Sequence, residues 1–243
     1  MESLPLEIVR LESYPKRYYG RLLRRSESDV AGATPEVSKI VSDVRNRGDI
    51  AVLEYTEKFD GVRLGKERMR VSEEEIQGAY GELKSDVVSA IKAAARAIEK
   101  YHRRQLPKGW FEEIEPGVKV GQIVRPLESV GVYAPGGLAQ YPSSVLMSAI
   151  PAKVAGVEKI ILCTPPRRDG SVNPATLVAA DVARVDEIYK VGGAQAIAAM
   201  AFGTRTIPKV DKIVGPGNVY VVAAKKIVAS EVEIDFFAGP SEV

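Results

Sequence analysis

Apolar residues recur at helical spacing through the first hundred residues of the chain, with polar residues between them. The first clear stripe predicts a helix from Thr34, its N-cap, through Pro35 in the first turn to Gly48. Its apolar face consists of Val37, Ile40, Val41 and Val44. Residues 1 to 33 alternate short apolar groups with charge, and they predict an arm or an exposed helix.

A second helix is predicted to begin at Asp49. The dipeptide Asp60-Gly61 is typical of a turn and predicts the end of this helix. Leu53 and Phe59 are expected to face the core.

Two more helices and an extended segment are predicted before residue 126. Ser72 and Glu75 have the spacing of a capping box, which predicts a helix start. A longer helix is expected from about Ser85 to Arg104. Its apolar stripe consists of Val87, Ala90, Ile91, Ala94 and Ile98. The extended segment opens at Trp110 and predicts one or two strands.

From residue 129 onward, short apolar strands alternate with helices. Strands are predicted near residues 130–134, 159–163, 186–191, 211–214 and 232–236, and helices near 143–155, 174–184, 193–202 and 218–229. Strands joined by helices pair in parallel through right-handed crossovers. The sequence therefore predicts an α/β fold, in which a mostly helical N-terminal region precedes a doubly wound, mainly parallel, Rossmann-like sheet domain.

These patterns divide the chain into three predicted parts. Residues 1–126 are the N-terminal arm and mostly helical region, and residues 127–236 are the Rossmann-like domain. Residues 237–243 are expected to start a further domain.

Composition and charge narrow the class of protein. The chain has 243 residues, 45% hydrophobic content and a net charge of +2 from 34 basic and 32 acidic residues. The mixed charge disfavours nucleic acid and anionic membranes as partners, and no apolar run approaches the roughly 20 residues of a membrane span. The N-terminus also lacks a basic segment followed by an apolar core, so we expect a cytoplasmic location.

Glycine and proline crowd the turns that follow the predicted strands. The five turns read YAPGG (133–137), TPP (164–166), GGAQ (192–195), GPGN (215–218) and AGPS (238–241). Ligands of open α/β sheets bind outside the carboxyl ends of the strands. Such turns let the backbone approach a flat or extended ligand closely, so we predict a nucleotide or cofactor cleft at this edge.

Gln195 lies in the first turn of the helix after Gly192-Gly193, where unpaired backbone N–H groups face outward. Its amide can both donate and accept hydrogen bonds, which suits an amide or a ribose hydroxyl. The usual dinucleotide fingerprint is absent, because GPGN has two glycines of GxGxxG without a third. The second strand also ends at Cys163-Thr164 instead of at an acidic residue. NAD, NADP and a mononucleotide all stay open as ligands.

Cysteine and histidine side chains often take part in catalysis, and the chain has one of each. Cys163 lies in the apolar run KIILC, which predicts a buried core cysteine and not a nucleophile. His102, the single histidine, stands beside two arginines and is predicted to lie on the surface at a helix end. No histidine or cysteine cluster has the spacing of metal ligands.

Several long segments closely resemble the histidinol dehydrogenase family. They are VRNRGDIAVLEYTEKFDGV, VGVYAPGG, YPSSVLMSAIPAKVAGVEKI, DEIYKVGGAQAIAAMAFGT, KIVGPGNVYV and FAGPSEV. The resemblance implies an NAD-dependent, zinc-containing homodimer in histidine biosynthesis. Such an enzyme oxidises L-histidinol to L-histidine through histidinaldehyde, in two successive hydride transfers.

The resemblance also implies roles for individual residues. The family's NAD contacts fall on Tyr133, Gln195 and Asn218, and a substrate contact falls on Ser241. The zinc ligands and catalytic bases of the family are expected beyond Val243. No catalytic or metal-binding residue is therefore expected within this chain, which we interpret as an N-terminal fragment of the enzyme.

A non-catalytic nucleotide-binding or assembly module of Rossmann-like fold is the alternative. Such a module should finish its last element with a cap or a polar tail. The ending FFAGPSEV does neither, which favours the fragment.

Overall fold

A computed structural model describes residues 25–136 and 141–236 of the chain. In these ranges the first helices are α1 (Arg25–Arg47), α2 (Asp49–Asp60), α3 (Glu73–Glu82) and α4 (Ser85–His102). A short 3-10 helix, Lys66–Arg68, lies between α2 and α3. An antiparallel hairpin of β1 (Trp110–Glu115) and β2 (Val118–Gln122) follows α4, and all of its residues are exposed.

The alternating series begins after the hairpin. Its elements are β3 (Ser129–Tyr133), α5 (Pro142–Ala155), β4 (Lys159–Thr164), α6 (Pro174–Val182), β5 (Glu187–Lys190), α7 (Gly193–Phe202), β6 (Lys212–Val214), α8 (Val219–Val228) and β7 (Glu233–Ile234). The strands of this series form one parallel sheet in the order β5-β4-β3-β6-β7. The chain moves outward from β3 to β5 and then returns to place β6 on the other side of β3. The predicted doubly wound α/β fold is confirmed.

Helices cover both faces of the sheet because its strands are apolar on both sides. Ile161 and Cys163 of β4 pack into one buried cluster with α1, α2, α7 and α8. Ile160 and Leu162 of the same strand pack into a second cluster with α3, α4, α5 and α6. Such continuous apolar strands are typical of parallel sheets buried on both faces. The N-terminal helices therefore share the core of the sheet.

Local helix signals are mostly confirmed. The side chain of Ser72 accepts a hydrogen bond from the backbone N–H of Glu75, and the Glu75 carboxylate accepts one from the backbone N–H of Ser72. The helix α2 ends at Asp60, where Gly61 has a positive φ of 69°. The residues of the capping box, and those of the turn at Gly61, are close neighbours in the sequence. Both signals can therefore be recognised from the sequence alone.

The predicted start of the first helix was wrong. The helix α1 begins at Arg25 and continues through Pro35, so Thr34 is not its N-cap. The Thr34 hydroxyl instead donates to the Val30 carbonyl oxygen at 2.8 Å, one turn earlier in the helix. Proline inside a helix removes one backbone hydrogen bond, and the predicted apolar face of α1 is buried against the sheet all the same. Tertiary packing therefore outweighs the local signal.

Two predicted side-chain orientations were also wrong. Phe59 is 47% exposed and stacks on Tyr55 with 5.7 Å between ring centroids, instead of entering the core. On α4 the predicted apolar stripe is only partly correct. Ile91 is buried as predicted and Ala95 is buried as well, whereas Val87 is exposed.

Candidate functional site

A cleft of about 480 Å³ opens at the carboxyl edge of the parallel sheet. Its described lining consists of Glu36, Ile40, Phe59, Asp60, Tyr133, Pro135, Gly136, Pro165, Gly193, Ala194, Gln195, Asn218 and Tyr220. The strand order reverses between β3 and β6, and the turns after these two strands contribute to the lining. Open α/β sheets bind ligands at such a reversal.

Four of the five predicted turns line this cleft. They are the turns at 133–137, 164–166, 192–195 and 215–218. The fifth turn, at 238–241, contains Ser241 and lies outside the described residues. The structure thus brings together Tyr133, Gln195 and Asn218, which come from three different turns.

Gln195 has an unusual environment for a polar side chain. It lies in the first turn of α7 with 1% of its surface exposed. Within the described residues, neither Oε1 nor Nε2 of its amide has a hydrogen-bond partner. A buried amide without partners lowers the stability of the folded protein by about 1–3 kcal/mol. A ligand that forms hydrogen bonds with the amide removes this cost, which favours binding.

Gly193 is required beside this amide. Its φ of 62° lies in the left-handed region, and a Cβ built on it would lie 2.7 Å from the Oε1 atom of Gln195. Any other residue would be strained and would also press on the glutamine. The glycine therefore leaves room for the Gln195 amide at the cleft.

Tyr133 joins the end of β3 to the start of α7. Its hydroxyl oxygen accepts a hydrogen bond from the backbone N–H of Gly193 at 3.1 Å. Burial raises the pKa of Tyr133 to about 12, so the hydroxyl keeps its proton at neutral pH. That proton can be donated to a ligand in the cleft.

Asn218 is the N-cap of α8. Its Oδ1 atom accepts hydrogen bonds from the backbone N–H groups of Tyr220 and Val221, each at 3.1 Å. The amide nitrogen carries the remaining donors of the side chain. Asn218 therefore orders the start of α8 and keeps N–H donors at the cleft; its role as the N-cap was not predicted from the sequence.

An ion pair between buried Lys225 and half-buried Asp235 stabilises the turn that holds Asn218. The Nζ atom of Lys225, a residue only 3% exposed, donates to the Gly215 carbonyl oxygen at 2.5 Å and to Oδ1 of Asp235 at 2.7 Å. The other carboxylate oxygen of Asp235 accepts from the backbone N–H of Gly215 at 2.9 Å. A Cβ on Gly215 would lie 2.0 Å from the Tyr133 carbonyl oxygen, so the turn is pressed against β3.

The sequence did not predict the residues of the N-terminal helices that complete the cleft. Glu36 and Ile40 of α1 and Phe59 and Asp60 of α2 form one wall. The Oδ2 atom of Asp60 is buried and has no hydrogen-bond partner within the described residues, and burial raises the pKa of this carboxyl to about 6. These residues line the cleft because α1 and α2 pack against parts of the chain that are distant in sequence.

The residues with catalytic potential take no part in the cleft. Cys163 is fully buried in the core as predicted, and burial raises the pKa of its thiol. His102 is the last residue of α4, and its ring meets that of Tyr101 edge to face at 5.2 Å. Within residues 25–136 and 141–236, histidine, cysteine and carboxylate side chains form no group of three that could hold a metal ion.

A second and larger groove, of about 1080 Å³, lies away from the buried Gln195 amide. Leu106, Met147 and Phe236 are among the apolar residues of its lining. Its size exceeds that of the cleft, but the cleft holds the unpaired buried groups Gln195 and Asp60. Unpaired polar groups indicate a specific polar ligand, so the smaller cavity is the better candidate.

Among the helices of the described ranges, none is long and apolar enough to cross a membrane.

Comparison with known proteins confirms the resemblance. The family model described as histidinol dehydrogenase matches residues 23–243. A histidinol dehydrogenase of Methanothermobacter thermautotrophicus is 54% identical over 236 residues, which cover 97% of this chain and 55% of that protein. A histidinol dehydrogenase of Methanosarcina mazei is 56% identical over 224 residues, which cover 92% of this chain and 51% of that protein.

The fold agrees with a solved structure. The crystal structure of histidinol dehydrogenase from Elizabethkingia anophelis matches with a TM-score of 0.82 and 46% identity, over 85% of this chain and 48% of that chain. The chain thus spans about half the length of the relatives it matches. On the family match and these identities, the chain belongs to the histidinol dehydrogenase family.

Proposed function

We propose that this chain supplies the NAD-binding part of a histidinol dehydrogenase, which oxidises L-histidinol to L-histidine through histidinaldehyde. Family membership supports the reaction. The observation that carries the cofactor assignment is the buried Gln195 amide, whose two polar atoms lack partners at the cleft. A non-catalytic assembly module of the same fold is the less favoured alternative, because the relatives are named as enzymes.

The cleft fits an extended dinucleotide. A Cβ on Gly136 would lie 2.8 Å from Cγ of Pro165, and one on Gly192 would lie 2.5 Å from Cβ of that proline, so only bare backbone fits there. The helix α7 begins at the cleft, and the positive end of its dipole suits the pyrophosphate. When bound, NAD supplies the hydride acceptor of the reaction.

Each predicted residue has a role in this proposal. The Gln195 amide donates to and accepts from polar groups of the cofactor. Tyr133 donates its hydroxyl proton while it accepts the Gly193 N–H, and Asn218 donates from its amide nitrogen. Ser241 is proposed as a substrate contact on the resemblance alone.

Zinc binding does not fit the described residues, because none of their side chains form a suitable ligand group. The resemblance implies that the zinc ligands lie outside this chain. The homodimer and the cytoplasmic location are likewise proposals that rest on the family. The part that we assign to this chain is to bind and orient the cofactor.

Calorimetric titration of NAD into the 243-residue chain tests the proposal. Losing a hydrogen bond of this kind costs about 0.5–3 kcal/mol, so Gln195→Ala should weaken NAD binding about 3- to 100-fold. The matched control is Gln77→Ala on α3, an exposed glutamine that bonds Glu73 at 2.9 Å far from the cleft lining. Equal affinities of wild type and Gln195→Ala would overturn the assignment.

A further inference from the structure

Asp60 is a carboxylate without a structural task in the described residues. It is the last residue of α2, where a negative charge is unfavourable because the carbonyl end of the helix dipole is also negative. One of its oxygens is buried without a hydrogen-bond partner. A group that costs stability in this way is typical of a functional site.

Asp60 shares the cleft with Tyr133. Both line the same cavity, and the Asp60 charge adds to the burial that raises the pKa of the Tyr133 hydroxyl. The carboxylate therefore lies close to the cofactor residues, although α2 is far from them in sequence. It forms part of the wall that faces the turns after the strands.

The charge of the cleft favours hydroxyl groups over phosphate groups on this wall. Glu36 and Asp60 are the charged side chains of the described lining, which includes no lysine, arginine or histidine. A hydroxyl would donate to the unpaired Asp60 oxygen. A phosphate monoester would meet like charge without a counterion, which is unfavourable at short range.

Asp60 also supplies a carboxylate that the strand ends of the sheet lack. Dinucleotide-binding sheets commonly grip the adenosine ribose with an acidic residue near the end of the second strand. The corresponding strand β4 ends at Cys163-Thr164, without a carboxylate. Asp60 brings a carboxylate to the same edge from outside the alternating series.

Two aromatic rings of the cleft lining are exposed. Phe59, which precedes Asp60, is 47% exposed, and Tyr220 is 43% exposed. Both line the cleft. One face of the Phe59 ring stacks on Tyr55, and a base that stacked on the other face would bring its ribose beside Asp60.

We propose that Asp60 is a specificity-determining residue of the proposed cofactor site: it accepts a hydrogen bond from the 2′-hydroxyl of the adenosine ribose and thereby selects NAD over NADP. This inference rests on the proposed function. It adds the recognition of one hydroxyl by one side chain of the N-terminal helical region.

The test compares NAD with two analogues by calorimetry on the 243-residue chain. One is NADP, and the other is NAD that lacks the adenosine 2′-hydroxyl. Wild type should bind NAD about 10- to 100-fold more tightly than either. Asp60→Asn keeps the size of the side chain and removes its charge. It should weaken NAD binding and reduce the preference over NADP about tenfold or more, and Asp60→Ser should show the same direction of change.

The matched control is Glu57→Gln, which makes the same charge change one turn earlier on α2, at a side chain 55% exposed. It should keep the wild-type preference. Because Asp60 has no described partner, Asp60→Asn should fold with undiminished thermal stability. If Asp60 were needed only for folding, Asp60→Asn would instead lower the thermal stability.

The failures of the two proposals can be told apart. If wild type binds NAD and Gln195→Ala weakens it, but Asp60→Asn leaves the NAD to NADP ratio unchanged, this inference is overturned and the cofactor assignment stands. An equal loss of affinity for NAD and its 2′-deoxy analogue in Asp60→Asn would also overturn it. If wild type binds no NAD at all, both proposals fail.

Discussion

Replacing Gln195 with methionine should stabilise the protein while it weakens cofactor binding. Methionine has nearly the same length and shape but no amide, and the two residues have similar helix propensities. The site is 1% exposed and lies in α7, whose neighbouring residues are mainly alanine and other apolar side chains. The substitution therefore removes two unpaired polar atoms and leaves the packing intact.

The expected gain in the free energy of unfolding follows from the energetic cost of burying the unpaired Gln195 amide. An unpaired buried amide costs about 1–3 kcal/mol, and part of that gain is lost where the new side chain packs imperfectly. We expect Gln195→Met to raise the free energy of unfolding by about 1–2 kcal/mol. For a domain of this size the melting temperature should rise by about 2–8 °C.

Urea denaturation followed by circular dichroism measures this change, with and without NAD. The midpoint should rise and the slope should stay constant, because the exposed surface on unfolding hardly changes. At equal concentration, NAD should stabilise wild type more than the variant. Gln77→Met is the control, and at its exposed site the free energy of unfolding should change by less than about 0.5 kcal/mol. A loss of stability in Gln195→Met would refute the reasoning, since it would mean that the amide has partners in the free protein.

Three further predictions concern the rest of the site and the reaction. Lys225→Met should lower the free energy of unfolding by about 1–3 kcal/mol in urea denaturation, because it removes the hydrogen bonds of Lys225 and leaves half-buried Asp235 without its counter-charge; an unchanged or raised free energy of unfolding would contradict this. Burial raises the pKa of Asp60 from 3.8 to about 6, so the folded protein holds this proton more tightly than the unfolded chain. The stability of wild type relative to Asp60→Asn should therefore fall as the pH rises from about 4 to 6 and then stay constant, and a rise over that window would refute the assignment. The 243-residue chain with histidinol, NAD and zinc should show no NAD reduction by absorbance, because the resemblance implies that the zinc ligands and catalytic bases lie outside this chain; turnover would contradict the assignment of this chain to cofactor binding alone.

Local signals predicted much of the fold. The capping box at Ser72 and Glu75, the alternation of strands and helices, and the glycine turns at the strand ends all depend on residues close in sequence. Parallel pairing then follows from the connections between strands. The convergence of Tyr133, Gln195 and Asn218 was predictable for the same reason, because strand ends of a parallel sheet share one edge.

Long-range packing accounts for what the sequence did not predict. Asp60 reaches the cleft because α1 and α2 pack on the same face of the sheet as α7 and α8. Lys225 and Asp235 meet at Gly215 across two elements, and a lysine in an apolar helix does not identify its partner. The continuation of α1 through Pro35 likewise depends on the sheet against which the helix packs. None of these contacts has a local sequence pattern.

A crystal structure of the 243-residue chain soaked with NAD tests the central claim most directly. The account predicts density for the dinucleotide in the cleft at the carboxyl edge of the sheet, with the Gln195 amide bonded to the cofactor and the adenosine ribose against Asp60. Density for the dinucleotide in the groove lined by Leu106, Met147 and Phe236, with the Gln195 amide still unpaired, would contradict it.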